Sequence, residues 1–529
     1  MESVQNKIEE LRNREKKLLE SGGIDKINKQ HQSGKMTARE RLHLLFDGGF
    51  YDEIYKHVSN IHSQNIKSGK LPGDGVITGI GAINGRLAYA SSQDFTVMGG
   101  SVGEMHSWKI CEMMDMSLKN GAPFISINDS GGARIQEGIY SLRGYGRIFY
   151  HNTLLSGVVP QIAIIAGPCA GGAAYSPALM DFIIMVEGIG QLFIAGPQVI
   201  KEATGEEISA EELGGALSQA TFSGNVHFIA RDDADAIEIC QNLLTYLPSN
   251  NMEEPPITGN GEIVLIEDET LNTIIPDDPR DPYDMFEVLL RIFDPGSIME
   301  IQSHFARNII ICFARVNGRV VGVVANQPIE KYGAIDIDAS DKASRFIRFC
   351  NAFNIPLISF VDVPGFLPGI EQEFGGIIRH GAKMLFSFSA ATVPKISIIV
   401  RKAYGGAYLA MSAKSLGADR VAAWPSAEIA VMGAEGAISV LYKDEIKSSD
   451  NPMEKRKELI ERYNREHANP YSAASIGMID SVIEPKYTRQ YISIALESLK
   501  NKRELRPAKK HGLIPVSYTH LTLPTIYSV

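Results

Sequence analysis

Asn84-Gly85-Arg86 returns as Asn317-Gly318-Arg319, 233 residues further along the chain. PFISINDSGG, from Pro123, returns as PLISFVDVPG, from Pro356, at the same offset. VPQIAIIAGPCAGGA, from Val159, is echoed by VPKISIIVRKAYGGA, from Val393, at 234, and LFIAGP around Gly196 by IAVMGA around Gly433, at 237. Four echoes in one order at nearly one spacing mark an internal duplication, which constrains an architecture before any local reading does. The 529 residues read as two copies of one unit, roughly 25–250 and 260–500, each long enough to bury its own core. The stretch LPSNNMEEPPITGNG, Leu247 to Gly261, is the Pro/Asn/Gly linker between them, so domains are expected at 1–255 and 256–516. Each copy alternates short apolar strands with helical stretches such as Gly103 to Leu118 and Asp341 to Asn354, which predicts an α/β fold.

Both copies place two loops after strands. The first loop carries Asp129-Ser-Gly-Gly-Ala-Arg134 or Asp362-Val-Pro-Gly-Phe366; the second carries Gly171-Gly172 or Gly405-Gly406. In the second copy the pattern predicts a strand over Ile396 to Val400 and a helix over Ala410 to Leu416. Glycine lets backbone approach a ligand closely and adopt positive φ. A helix start adds N–H groups without intrahelical partners, a setting for negative charge. Two N–H groups aimed at one point form an oxyanion hole, in which one donor is worth about a hundredfold to a thousandfold in rate. A lone glycine pair reads more simply as tight strand-to-helix packing. Two pairs at matching places, each with a partner loop about 40 residues upstream, favour the hole.

Other chemistries fit less well. A net charge of −10 argues against a nucleic-acid binder. Cys111, Cys169, Cys240, Cys312 and Cys350 lie far apart, and the twelve histidines show no ligand spacing, so no metal site is expected and a reducing compartment fits. The first twenty residues form a charged amphipathic helix without the apolar core of a signal peptide. Gly157 to Met180 carries no charge and could span a bilayer in length, yet its prolines and glycines make it a buried strand–turn–helix. The expectation is a cytoplasmic protein. Gly99-Gly-Ser101-Val-Gly103 fits the nucleophile elbow of a serine hydrolase, the distant alternative, although no triad partner can be chosen. No dinucleotide or P-loop glycine motif is present; Gly79-Ile-Gly81 lacks its third glycine at Asn84. His380 reads as a surface or packing residue of a helix.

With these residues in hand, the chain resembles the carboxyltransferase subunits of biotin-dependent acyl-CoA carboxylases, a set that includes propionyl-CoA carboxylase β chains, methylmalonyl-CoA decarboxylase α chains and the large transcarboxylase subunit. The matching stretches are GKMTARERLHLLFD (34–47), PGDGVITG (72–79), NDSGGARIQEG (128–138), AGPCAGGAAYSPALMDF (166–182), FVDVPGFLPG (360–369), RKAYGGAYLAM (401–411) and AWPSAEIAVMGAEGA (423–437). The resemblance covers the chain from about residue 30 to 515.

The resemblance implies two tandem crotonase-like domains built of ββα spiral repeats, the first binding an acyl-CoA and the second binding biotin on a separate carrier protein. It implies a homo-hexamer, a trimer of dimers, no zinc ribbon, and partners that are either a biotin carboxyl carrier protein with a biotin carboxylase or membrane decarboxylase subunits. It implies transfer of a carboxyl group between carboxybiotin and the α-carbon of propionyl-CoA or methylmalonyl-CoA. Methylmalonyl-CoA decarboxylation on the same fold is the alternative. Carried onto this sequence, Gly171 and Gly172, with Gly132 and Ala133, face the thioester oxygen; Gly406 and Ala407, with Gly365 and Phe366, face the biotin ureido oxygen. Ala170, Tyr175, Gly405 and Leu409 line the same two places. Leu409 stands where propionyl-CoA carboxylases of the family often carry aspartate and decarboxylase or transcarboxylase relatives carry leucine or isoleucine, which leans toward methylmalonyl-CoA. Lys35, Arg39 and Arg41 are surface candidates for the CoA phosphates, equally readable as a solvated helix face. After KKHGLIPV the chain runs on as SYTHLTLPTIYSV, residues 517–529, which departs from the family and reads as an artefactual tail.

Overall fold

Runs of β-branched residues, buried on both faces, form the centre of each sheet, as parallel strands covered by helices require. The structure is a computed structural model that describes residues 3–507 apart from 63, 65, 68, 260 and 261; the tail at 517–529 lies outside them. It divides into two units, Met1–Glu254 and Pro255–Val529. The first holds β1 (Tyr51–Ile54), β2 (Val76–Ile83), β3 (Arg86–Gln93), β4 (Phe124–Ser130), β5 (Gln161–Ala170), β6 (Phe182–Val186), β7 (Gln191–Phe193) and β8 (Phe228–Ala230). The second holds β9 (Met299–Ile301), β10 (Ile309–Val316), β11 (Arg319–Asn326), β12 (Leu357–Val363), β13 (Lys395–Tyr404), β14 (Arg420–Ala423), β15 (Glu428–Ala430) and β16 (Ser481–Val482). The sheet orders are the same: β1-β2-β3-β4-β5-β6-β8 with β7 on β5, and β9-β10-β11-β12-β13-β14-β16 with β15 on β13. An antiparallel hairpin, turning at Asn84-Gly85 or Asn317-Gly318, leads into parallel strands joined by helices in each unit.

Six helices of the first unit matter below: α1 (Val4–Leu19), α2 (Ile24–Gln32), α3 (Ala38–Leu45), α4 (Glu104–Asn120), α5 (Ile139–Leu155) and α6 (Gly172–Leu179). α3 is set by a capping box, Thr37 with Glu40, and α4 ends on left-handed Gly121. α1 buries no residue. The uncharged stretch Gly157 to Met180 contains β5, a turn and α6, and no helix among the described residues is long and apolar enough to cross a membrane.

One expectation fails in its boundaries. The strand read as ending at Val400 continues to Tyr404, and the helix read as Ala410 to Leu416 is Gly405–Ala410, followed by a short 3-10 turn at Lys414–Leu416. Arg401 and Lys402 hid the strand because charged residues are rare in buried strands. Here Arg401 Nε bonds Asp362 at 2.9 Å, and Lys402 to Tyr404 gain a second partner in β15. The helix follows from the glycine pair itself.

Candidate active site

β4 and β5 pair in register until Asn128 meets Ile165, then slip, so that Ser130 faces Cys169. β12 and β13 slip at the equivalent place, between Val361 and Val363. The slip lifts the loop that follows β4 against the end of β5: a Cβ on Gly132 would lie 3.1 Å from the Ala170 carbonyl oxygen, so only glycine fits, at φ 94°.

The loop then makes a one-residue parallel bridge. Val102 donates its N–H to the Gly132 carbonyl at 2.9 Å and accepts the Arg134 N–H at 3.0 Å, which turns the Ala133 N–H away, toward solvent. Next door, Gly171 takes φ 59° and gives its N–H to the Phe193 carbonyl at 3.0 Å, which leaves Gly172 to open α6. Among the described residues, the N–H groups of Ala133 and Gly172 have no partner. Gly171 and Gly132, expected to donate with them, are engaged instead, Gly132 with Ser130 Oγ at 3.1 Å.

The second unit repeats the bridge. Ile335 donates to the Gly365 carbonyl at 3.1 Å and accepts the Leu367 N–H at 2.8 Å, turning out the N–H of Phe366. Gly405 takes φ 57° where Gly171 takes 59°, and Gly406 and Ala407 follow in the first turn of the Gly405–Ala410 helix. The Phe366 ring closes the gap between the arms, 3.9 Å from where a Gly406 Cβ would stand. Ala133 and Gly406 are exposed, and Gly172 and Phe366 half-buried, so neither pair is sealed in a core. Tyr175 and Leu409 occupy the same turn of the two helices and are 50% and 37% exposed.

Beside the first amide pair, neither the Tyr145 phenol nor the Cys169 thiol is tuned as a base. Burial pushes the Tyr145 phenol and the Cys169 thiol well above their usual ranges, with Cys169 adding to the first and Asp129 to the second. Ser101 donates to the Met98 carbonyl at 2.8 Å, with Arg134 Nε 3.4 Å away and no histidine bonded to it. The glycines around Ser101 serve packing: a Cβ on Gly100 would lie 2.1 Å from the Asp129 carbonyl oxygen, and one on Gly103 would lie 2.3 Å from Arg134 Nη1. The elbow motif is thus a site of close packing, against the Asp129 backbone at Gly100 and against the Arg134 and Glu137 side chains at Gly103.

Lys35 and Arg41 require a correction. They are buried rather than on the surface, Lys35 bonding Asp129 at 2.7 Å and Arg41 bridging Asp129 and Asp233 at 3.0 and 3.1 Å. Arg39 is held by both oxygens of Glu53. These cations are neutralised within the protein. His380 is buried and shares Asp341 with Lys383. Sequence reasoning missed Ser130 and Ser141, which bond the loops, and Tyr145, whose ring lies against Gly172; of these only Ser130 stood in a stretch already quoted.

Residues 29–514 match the family model described as carboxyl transferase domain. The chain is 54% identical to the methylmalonyl-CoA decarboxylase subunit alpha of Propionigenium modestum, over 98% of this chain and 100% of that one. It is 52% identical to the propionyl-CoA carboxylase carboxyltransferase subunit of Haloferax mediterranei, over 97% and 100%. Among solved structures it superposes on the transcarboxylase 12S hexamer assembly with methylmalonyl-coenzyme A and methylmalonic acid bound, with a TM-score of 0.95 at 52% identity, covering 98% of this chain and 99% of that one. The fold is accordingly the expected pair of tandem crotonase-like α/β domains. By sequence and by fold, this chain belongs to the carboxyl transferase family.

Proposed function

We propose that the chain is the subunit that moves a carboxyl group between biotin on a separate carrier protein and the α-carbon of a short acyl-CoA, propionyl-CoA or methylmalonyl-CoA. The observation that carries this is the repetition of one outward-facing amide pair, Ala133 with Gly172 and Phe366 with Gly406, in each unit. Breaking the bond from the α-carbon to a carboxyl group, or to a proton, sends an electron pair toward the thioester oxygen. The Ala133 and Gly172 N–H groups stabilise that charge, and their position in the fold is fixed before the reaction begins. Tyr175 and Ala170 flank the acyl end.

The second pair suits an uncharged ureido group, since its donors are neutral amides beside the apolar Phe366 and Leu409 side chains. Biotin, when bound there, supplies the nitrogen that accepts or delivers the carboxyl group. The N–H groups of Phe366 and Gly406, with Ala407, hold its oxygen, and Gly365 and Gly405 set the backbone that aims them. No side-chain base is needed from this chain.

Decarboxylation of methylmalonyl-CoA is the second reading, favoured by the 54% identical decarboxylase subunit and by Leu409. The choice of direction then belongs to partner subunits, a biotin carboxylase or membrane subunits, acting on a cytoplasmic hexamer. Purified chain mixed with methylmalonyl-CoA and free biotin should release or transfer CO2. Folded protein that does neither rules out both readings.

A further inference from the structure

Helix α5 touches both arms of the first amide pair, from two residues one turn apart on one face. Ser141 Oγ accepts the Arg134 N–H at 2.9 Å, one residue beyond Ala133, and donates to the Val102 carbonyl, so it clamps both sides of the bridge that turns out the Ala133 N–H. Tyr145, four residues on, lays its ring against Gly172. A Cβ added there would stand 3.1 Å from Cδ2 and 3.2 Å from Cε2 and Cγ. The ring is 4% exposed and packs on Phe149 at 5.8 Å between centroids, and Phe149 meets Tyr175 at 6.1 Å. Among the described residues the Tyr145 hydroxyl has no hydrogen bond of good geometry, only Ser130 as a polar neighbour, so the polar atom does little to explain why this side chain is buried here.

The second unit has a ring at the equivalent joint, but from the other side. Phe366, on the loop, stands 2.9 Å from a Cβ built on Gly381 and 3.9 Å from one built on Gly406. The buried positions of the matching helix, Ile377–Ala390, coincide with those of α5 at an offset of 236, so Gly381, which has no side chain, stands where Tyr145 does. Two non-equivalent residues thus supply an aromatic wedge at one joint. Filling a core requires no such recurrence, whereas holding two amides at a fixed spacing does.

We propose that Tyr145 is the positioning residue of the first amide pair: its ring holds the Gly172 N–H at the distance from Ala133 that one developing oxyanion requires. This rests on the reading of that pair given above. The ring acts, and the hydroxyl does not.

The test compares full-length chains carrying Tyr145→Leu, Tyr145→Phe and Gly172→Ala, using methylmalonyl-CoA and free biotin, with circular dichroism and hydrodynamic size as fold controls. Tyr145→Leu should lower kcat about tenfold or more, since displacing a donor forfeits part of its hundredfold effect. KM should change by less than about threefold, because the loss is in the transition state. Tyr145→Phe should restore at least half of the wild-type kcat. Gly172→Ala, whose methyl meets the ring, should lower kcat similarly, and Tyr145→Leu should relieve part of that loss in the double variant.

A wild-type kcat in Tyr145→Leu overturns the proposal, and so does a Tyr145→Phe as slow as the leucine variant. Should Tyr145→Leu fail to fold, Gly172→Ala decides alone, and wild-type turnover there overturns it. Should wild-type protein show no turnover, the functional reading fails. Crystal structures of the wild-type and Tyr145→Leu chains then decide, since an unmoved Gly172 nitrogen overturns the role of the ring and a displaced one sustains it.

Discussion

Asp129 and Asp362 sit at the same place in the two units, buried at the slip between neighbouring strands and one step before the loop that turns out an amide. Each takes its own N–H to a side-chain amide oxygen 36 residues upstream, Gln93 or Asn326, at 3.1 Å. Their charges are met in different ways. Asp362 is held chiefly by the adjoining strand, by Arg401 Nε at 2.9 Å and the Lys402 N–H at 3.0 Å, with Arg401 resting on the ring of Tyr283, whose hydroxyl also lies beside Asp362. The equivalents of Arg401 and Lys402 in the first unit are Gly167, which has no side chain, and Pro168, which has no N–H. Asp129 is met instead by Gln30, Lys35 and Arg41, reaching in from the segment around α2 and α3. Gly167 makes the room, since a Cβ there would lie 1.9 Å from Asp129 Oδ1 and 2.9 Å from Lys35 Nζ. One loop geometry is therefore compatible with two charge arrangements, and only the first makes the site depend on the N-terminal segment.

The sharpest way to break this comparison is to remove each carboxylate. Asp129→Ala leaves Lys35 and Arg41 buried with one carboxylate, Asp233, between them, and should cost about 3–5 kcal/mol or prevent folding. Asp362→Ala strands only Arg401, whose Nη1 keeps the Asp281 carbonyl, and should cost visibly less. Equal shifts in urea midpoint would dissolve the distinction.

Gly167→Ala should cost about 1–3 kcal/mol by driving a methyl into the Asp129 pair. A neutral result would show that Lys35 and Asp129 have room to spare.

Gly406→Ala tests the open side of the second pair. Its methyl meets only Phe366, so stability should stay within about 0.5 kcal/mol of wild type while carboxyl transfer falls about tenfold. Unaltered transfer would remove Gly406 from the site.

The smallest effect concerns Lys109 and Lys342, equivalent buried lysines that donate to backbone carbonyls. Burial lowers Lys109 to about 8 and Lys342 to about 7. The unfolded chain therefore binds more protons between about pH 7 and 10, so these groups make stability rise with pH across that window and withdraw the gain as pH falls. Lys342→Met should flatten the slope between pH 7 and 9, and an unchanged slope would mean that the amine is solvated in the native state.

Some of this was legible from residue order. The offset of 233 to 234 exposed the duplication, and glycine pairs closing β-branched runs located both loops, because close approach and positive φ demand glycine locally. The helices at Gly103 and Asp341 differ from Glu104–Asn120 and Ile337–Ala352 only at their ends. Partners distant in sequence were invisible. Asp129 and Lys35 are 94 residues apart, and Lys35 in isolation has the pattern of a surface cation. Likewise Arg401 conceals a strand until Asp362 is known to lie beside it.

By itself, then, the amino-acid order determined that this protein is a doubled α/β chain with a glycine-hinged amide loop pair in each half, since repeats and backbone freedom are properties of the chain alone. Only the tertiary structure decided which amides stay free, which charges cancel inside, and which ring wedges each joint. Those depend on where bridges at Val102 and Ile335 consume one N–H and turn out the next, and no local pattern of residues records that.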